Sequence, residues 1–324
     1  MVPRVASINI GHLQIGLDVT RFITSRIVRT VLTVFAVLTL AFVLARLAGD
    51  PVRLMLPQEA TQADVDAMRA TLGLDRPLWE QYATFLAAAA RGDLGDSIRQ
   101  GVPAVGLVIE RLPATLELAV ISFVIGLTLA IAIAVAGELS RSQRVRNAML
   151  WIATTRQAIP PYLFGILMIL VFSVWLGVLP AMGRTSYASY VLPIITIATF
   201  EVALYLRLLN QEFAQSREQD FVRTALAKGA SRARVVIRHQ LPNALLPLIT
   251  VAGINLGVLV GGLVVLETVF NWPGLGRLIV QGVEQRDYPV VQAGVVVIAI
   301  VFVLINLIVD MLYAVLDPRV RIAR

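Results

Sequence analysis

Long apolar runs, each close to the ~20 residues a helix needs to cross a bilayer, recur along the chain between polar segments. They predict six membrane-spanning helices, at residues 27–47, 116–136, 158–179, 189–208, 244–267 and 290–314. The third is the least regular. Pro160-Pro161 interrupts an apolar stretch that begins near Ala148, and proline removes a backbone donor and disfavours helix before it. Residues 147–158 are therefore expected to form a lead-in helix at the interface. Between the first two runs, Asp64 to Leu72 and Pro77 to Ala90 read as short amphipathic helices, with Thr61 capping the first and Gly92-Asp93-Leu94-Gly95 as a turn. Residues 220–242 have a different rhythm. Phe221, Ala225 and Lys228 recur at helical spacing, Gly229 suits the left-handed position that ends a helix, and Ser231 can cap a second helix through Val235, Val236 and Leu241. The pattern predicts helix, tight turn, helix, lying on the membrane surface before the fifth span.

Composition agrees with a membrane protein: 57% of residues are hydrophobic and 15% charged, against about 25% charged in soluble domains. The chain has no cysteine, which excludes disulfides, thiolate metal sites and a cysteine nucleophile. A net charge of +7 could suggest nucleic acid, but its distribution follows topology instead. With the N-terminus inside, the inner segments hold Arg4, Arg21, Arg26 and Arg29; Arg141, Arg144 and Arg146; Arg207, Arg217, Arg223, Lys228, Arg232, Arg234 and Arg238; and Arg319, Arg321 and Arg324. The short outer loops hold only Arg184, Arg277 and Arg286. This asymmetry puts both termini in the cytoplasm. The first run exceeds the 7–15 apolar residues of a signal-peptide core, so it reads as an uncleaved span.

Three further features could carry chemistry. Gly253-x3-Gly257-x3-Gly261 in the fifth span lets another backbone approach closely, either a partner protein at the pathway or a neighbouring helix of this chain. Glu201 is the one centrally placed acid; it either faces a pathway or pairs with an arginine such as Arg156. Trp272-Pro273-Gly274 reads as an outer loop with an aromatic at headgroup depth, available to an external protein or serving only as an anchor. There is no G-x4-G-K-[ST], no H-E-x-x-H and no G-x-S-x-G, and the only histidines are His12 and His239. The sequence thus predicts neither an enzyme nor a metal site.

Within residues 220–242, Ala225, Gly229, Leu241 and Pro242 match the form E-A-A-x3-G-x9-I-x-L-P, while Arg223, Thr224 and His239 depart from it. The segment resembles the EAA loop of binding-protein-dependent ABC importer permeases, in the Y-V-R-T-A-x-A-K-G variant of the dipeptide/oligopeptide/nickel branch. Asp50-Pro51, Leu72-Gly73-Leu74-Asp75-Arg76-Pro77, Gly92-Asp93-Leu94-Gly95-Asp96-Ser97, Arg111-Leu112-Pro113-Ala114-Thr115-Leu116, Phe270-Asn271-Trp272-Pro273-Gly274-Leu275-Gly276, Asp287-Tyr288-Pro289 and Asp317-Pro318-Arg319 resemble other segments of that branch, over about residues 21–321. The resemblance implies an all-α, six-helix, type I importer permease of the B type in a bacterial inner membrane. It implies a cytoplasmic segment 1–26, a first span and external helical domain 27–115, a five-helix core 116–316 with coupling loop 209–243, and a tail 317–324.

It also implies a second, C-type permease, two cytoplasmic ATPase subunits that hold ATP and magnesium, an external substrate-binding protein, and no cofactor in this chain. Arg223, Thr224, Ala225, Ala227, Lys228, Gly229, Ala230 and Ser231 would dock in an ATPase groove. The implied cargo is a peptide, and relatives of the branch include importers of dipeptides, oligopeptides, nickel complexes and glutathione. A proton- or ion-coupled secondary transporter is the alternative, distinguished by intramembrane ion ligands.

Overall fold

The computed structural model describes residues 10–47, 52, 56, 59–71, 73–140 and 142–316. Expectations for residues 1–9, Asp50-Pro51, Leu72, Arg141 and the tail 317–324 lie outside them. The described residues form helices and connecting turns, with a single isolated antiparallel bridge between Asp96 and Pro103. The α-helices are α1 Ile10–Leu47, α2 Gln62–Thr71, α3 Leu78–Ala89, α4 Ala104–Leu139, α5 Gln143–Ala158, α6 Pro161–Met168, α7 Val191–Ser216, α8 Asp220–Ala227, α9 Arg232–Val235, α10 Leu241–Val269, α11 Leu275–Glu284 and α12 Tyr288–Leu316.

Five helical stretches are long and apolar enough to cross a membrane: Arg26–Leu47, Ala104–Leu139, Tyr187–Ser216, Arg232–Val269 and Tyr288–Val309. A sixth apolar stretch is long enough only as a bent pair of helices, which makes it a broken span or a re-entrant loop. α5 meets α6 and its π-helical continuation Ile169–Trp175 at 96°. The break sits at Ile159-Pro160, both extended, with Pro161 opening α6 at a position where its missing N–H costs nothing. The eight residues of α6 and seven of the π turn span about 22 Å, short of the ~30 Å hydrocarbon core, and α5, nearly perpendicular to them, adds no depth to that direction.

α4 begins at Ala104, well before the expected start at 116. Glu110, Arg111 and Pro113 make that stretch look like loop, yet Ala104, Val108 and Thr115 are buried at helical spacing while Glu110 and Pro113 face outward. α4 then packs along α7 through small residues four apart, Ser122, Gly126, Ala130 and Ala134, all buried. The tightest point is Gly126, where an added Cβ would stand 2.7 Å from Glu201 Cβ and 3.1 Å from the Ala198 carbonyl oxygen.

The outer segment is tied to both ends of the chain. Thr61 and Asp64 cap α2 reciprocally, Asp64 N–H to Thr61 Oγ1 at 3.3 Å and Thr61 N–H to Asp64 Oδ2 at 2.9 Å. Tyr82 on α3 shares a hydrogen bond with Thr39 on α1 (2.6 Å), and the Phe42 ring lies 5.2 Å from Tyr82. Buried Asp287, just before α12, accepts from Ser97 Oγ and from the Ile98 amide at 3.1 Å.

Candidate functional site

The surface hook between α7 and α10 is built from short-range rules. α8 ends where Gly229 takes φ +82°, so that the Gly229 amide reaches Leu226 O (2.9 Å) and the Ala230 amide reaches Ala225 O (3.1 Å). A side chain there would touch nothing within 4 Å, so glycine is demanded by the backbone angle and not by space. Ser231 Oγ accepts from the Arg234 amide (3.4 Å) and starts α9. Val222, Ala225 and Val235 bury against one another with Ala230 beside them, closing the two helices into a pair. Ala225 and Ala230 therefore hold the hook together. Arg223, Thr224, Ala227, Lys228, Gly229 and Ser231 are exposed around its tip, with apolar Phe221 and Leu226 next to them.

The hook is fastened to the transmembrane helices chiefly around one residue, Glu138, through its carboxylate and its backbone carbonyl. Glu138, buried at the end of α4, accepts from Arg217 Nε at 2.8 Å and from Arg217 Nη2 in a bidentate pair, and its backbone carbonyl accepts from Arg232 Nη2 at 2.8 Å. Gln240 Nε2 donates to Ser216 Oγ (2.9 Å), closing the base of the loop. The hydrogen bonds to Glu138 and its negative charge hold the Arg217 guanidinium above its ordinary pKa.

Deeper in the chain, the glycines of α10 meet α12. A Cβ on Gly253 would lie 2.1 Å from Val309 Cγ1, and one on Gly257 would lie 3.0 Å from the Phe302 ring; Gly261 has looser contact with Ile298. Gly253 and Gly257 thus serve packing inside this chain, one of the two readings of the stripe. Glu201 does not pair with Arg156. Pro160 breaks the helix next to Arg156, whose guanidinium takes the carbonyl oxygens of Ile159 (3.1 Å) and Thr196 (2.8 Å), donates to Thr199 Oγ1 (2.9 Å), and lies 3.9 Å from the Phe164 ring centroid. Glu201 instead accepts from Asn255, which also donates to Tyr205 OH (3.0 Å), and lines a cavity of about 260 Å³ between α6, α7 and α10.

On the outer side, Trp272 has no exposed surface at all. Its indole N–H donates to Ala114 O (2.9 Å), and its ring meets Tyr190 edge-on at 4.7 Å. Of the three residues expected to meet an external protein, Trp272 and Gly274 are buried and only Pro273 keeps some surface. The reading of Trp272 as a surface contact is thereby corrected: its loop folds inward. Gly274 and Gly276 permit this, because side chains there would overlap the Glu267 carboxylate (2.2 Å) and Val264 Cα (2.5 Å). Glu267 caps the start of α11 by accepting from the Arg277 amide (3.0 Å) and is held by Thr115 Oγ1 (2.6 Å). Above this core Arg184 bridges Tyr190 OH (2.7 Å) and Glu117; those two partners raise its pKa.

A family model for the binding-protein-dependent transport system inner membrane component matches residues 112–322, and its N-terminal companion matches residues 19–119. The chain belongs to this family. The glutathione transport system permease protein GsiC of Escherichia coli (strain K12) is 38% identical over 301 residues, covering 93% of this permease and 98% of the relative. GsiC of Shigella dysenteriae serotype 1 (strain Sd197) is equally similar, at 38% over 301 residues with the same coverage. Two solved inward-facing structures of the MetNI methionine ABC transporter share the fold, with TM-scores of 0.52 and 0.55 at 21% and 20% identity, each covering 65% of this permease and 96% of the solved chain. The permease is an all-helical, multi-pass protein of the inner membrane with the type I importer fold.

Glu138 and Arg217, which fix the hook, and Asn255, which links Glu201 to Tyr205, carry no mark of those roles in the sequence. Each looks ordinary in one dimension. Glu138 closes an apolar run, where an acid reads as an interface marker. The S-x3-G-x3-A-x3-A stripe from Ser122 to Ala134 was the visible signal for the α4–α7 seam.

Proposed function

We propose that this permease forms one half of the translocation pathway of an ATP-driven importer of short peptides, and that its hook is the grip of a cytoplasmic ATPase. The pathway is completed by a second, C-type permease; two ATPase subunits bind ATP and magnesium, and an external binding protein delivers the cargo. The observation that carries this reading is the hook itself: an exposed tip around Gly229, stiffened by its own core and joined through Glu138, Arg217 and Arg232 to the ends of α4 and α7. A force applied at the tip reaches the spans through short, charge-assisted contacts, as a rigid coupling element requires. Similarity to a permease for glutathione, itself a tripeptide, favours peptides as cargo.

The reading is tested in proteoliposomes that hold the permease pair and the ATPase subunits, with binding protein outside and ATP on the ATPase side. Uptake of a labelled dipeptide or tripeptide is expected to require ATP and to vanish when the phosphate-loop lysine of the ATPase is replaced. Uptake driven by a proton gradient without ATPase subunits would instead identify an ion-coupled transporter.

A further inference from the structure

Glu201 brings a carboxylate into the membrane-spanning part of the permease, 2% exposed, with no ion pair to it among the described residues. Its hydrogen-bond partner Asn255, and Tyr205 to which Asn255 also donates (3.0 Å), are neutral. Arg156, on α5, is spent on the carbonyl oxygens of Ile159 at the helix break and of Thr196 in α7. Burying an acid at this depth is expensive, and an acid retained there points to something it binds.

The surroundings define what that is. Glu201 lies against Gly126 of α4, where an added Cβ would stand 2.7 Å from the Glu201 Cβ, so only glycine lets α4 come this close to it. Its carboxylate lines the cavity between α6, α7 and α10, whose other walls include Ile197, Phe200, Val258 and Leu259. Tyr162, Val258 and Val265 are about half exposed and form the mouth, whereas Ile197 and Glu201 are buried and form the floor. At about 260 Å³ the space exceeds the ~30 Å³ share of one water several-fold. An ionised carboxylate offers about four acceptor positions, and Asn255 takes one of them. A hard metal cation wants six or more oxygen ligands, which hydrocarbon walls do not supply. An ammonium group wants up to three acceptors, and an apolar tail behind it suits the walls.

We propose that the Glu201 cavity recognises a primary ammonium group carrying an apolar tail, and that in transport this is the protonated amino terminus and first side chain of a peptide. The chemistry of the site stands on its geometry; the identity of its natural occupant rests on the peptide reading above.

The probe is n-butylammonium, with n-butanol as its uncharged counterpart, titrated against the complete importer in phosphatidylcholine nanodiscs while the melting temperature is followed. The amine is expected to stabilise the wild type saturably. Its apparent affinity should fall roughly thirtyfold or more in Glu201→Gln, which keeps the side chain's shape, and less in Glu201→Asp, which keeps the charge. Butanol should act alike on all three. Equal amine binding by the wild type and the Gln variant, or none by either, overturns the site. Loss of amine binding with undiminished uptake of free-amino peptides overturns its place in transport. A wild type that binds the amine yet imports no peptide rejects the peptide reading and leaves the ammonium site standing.

Discussion

Gly229→Val is expected to abolish co-purification of the permease with its ATPase subunits and with it all ATP-dependent uptake. Gly229 sits at φ +82°, where a non-glycine residue costs about 1–2 kcal/mol and a β-branched one more. Valine relieves that strain by moving φ to negative values. The amides of Gly229 and Ala230 then leave Leu226 O and Ala225 O, and α9 swings off α8, opening the Val222–Ala225–Val235 contact. Because a side chain at 229 meets nothing within 4 Å, the defect is conformational and local, and the transmembrane core should insert and melt as in the wild type. Gly229→Asn separates the two causes, since asparagine tolerates the left-handed region, and it should retain most of the association. Wild-type co-purification of the Val variant would remove the hook from the coupling.

Trp272→Ala is expected to destabilise the permease by about 3–5 kcal/mol, the cost of emptying a fully buried large aromatic site. It removes the edge-on contact with Tyr190 and leaves Ala114 O without the indole donor. Trp272→Phe should cost less, because a ring remains against Tyr190. Denaturant or thermal melting of the purified permease reads both, and affinity for the external binding protein should change only as far as folding does. The opposite pattern, unaltered melting with weakened docking, would restore Trp272 as a surface contact.

Backbone punctuation was the part of this molecule most legible in one dimension. Gly229 and Ser231 mark the hook because few residues accept a left-handed turn or cap a helix, and Thr61 and Pro160-Pro161 mark α2 and the bend between α5 and α6 for similar local reasons. What depends on which helices meet was not legible. Arg156 looked like a partner for Glu201, but the carbonyl oxygens of Ile159 at the helix break and of Thr196 on α7 take its guanidinium instead. Trp272 looked like a headgroup anchor because tryptophan favours that depth, and only the fold-back allowed by Gly274 and Gly276 takes it inside. The glycines of α10 could have faced another subunit, and contact with Val309 and Phe302 of α12 assigns Gly253 and Gly257 to this chain.

Whether a cytoplasmic motor grips the exposed tip of the hook is decided by Ala227→Cys. This chain has no cysteine, so the new thiol is the only one in the permease. In membranes of known sidedness it should react with an impermeant maleimide from the cytoplasmic face alone, become protected when the ATPase subunits assemble, and cross-link to them. Labelling from the outer face, or labelling unchanged by the ATPase, would contradict the account.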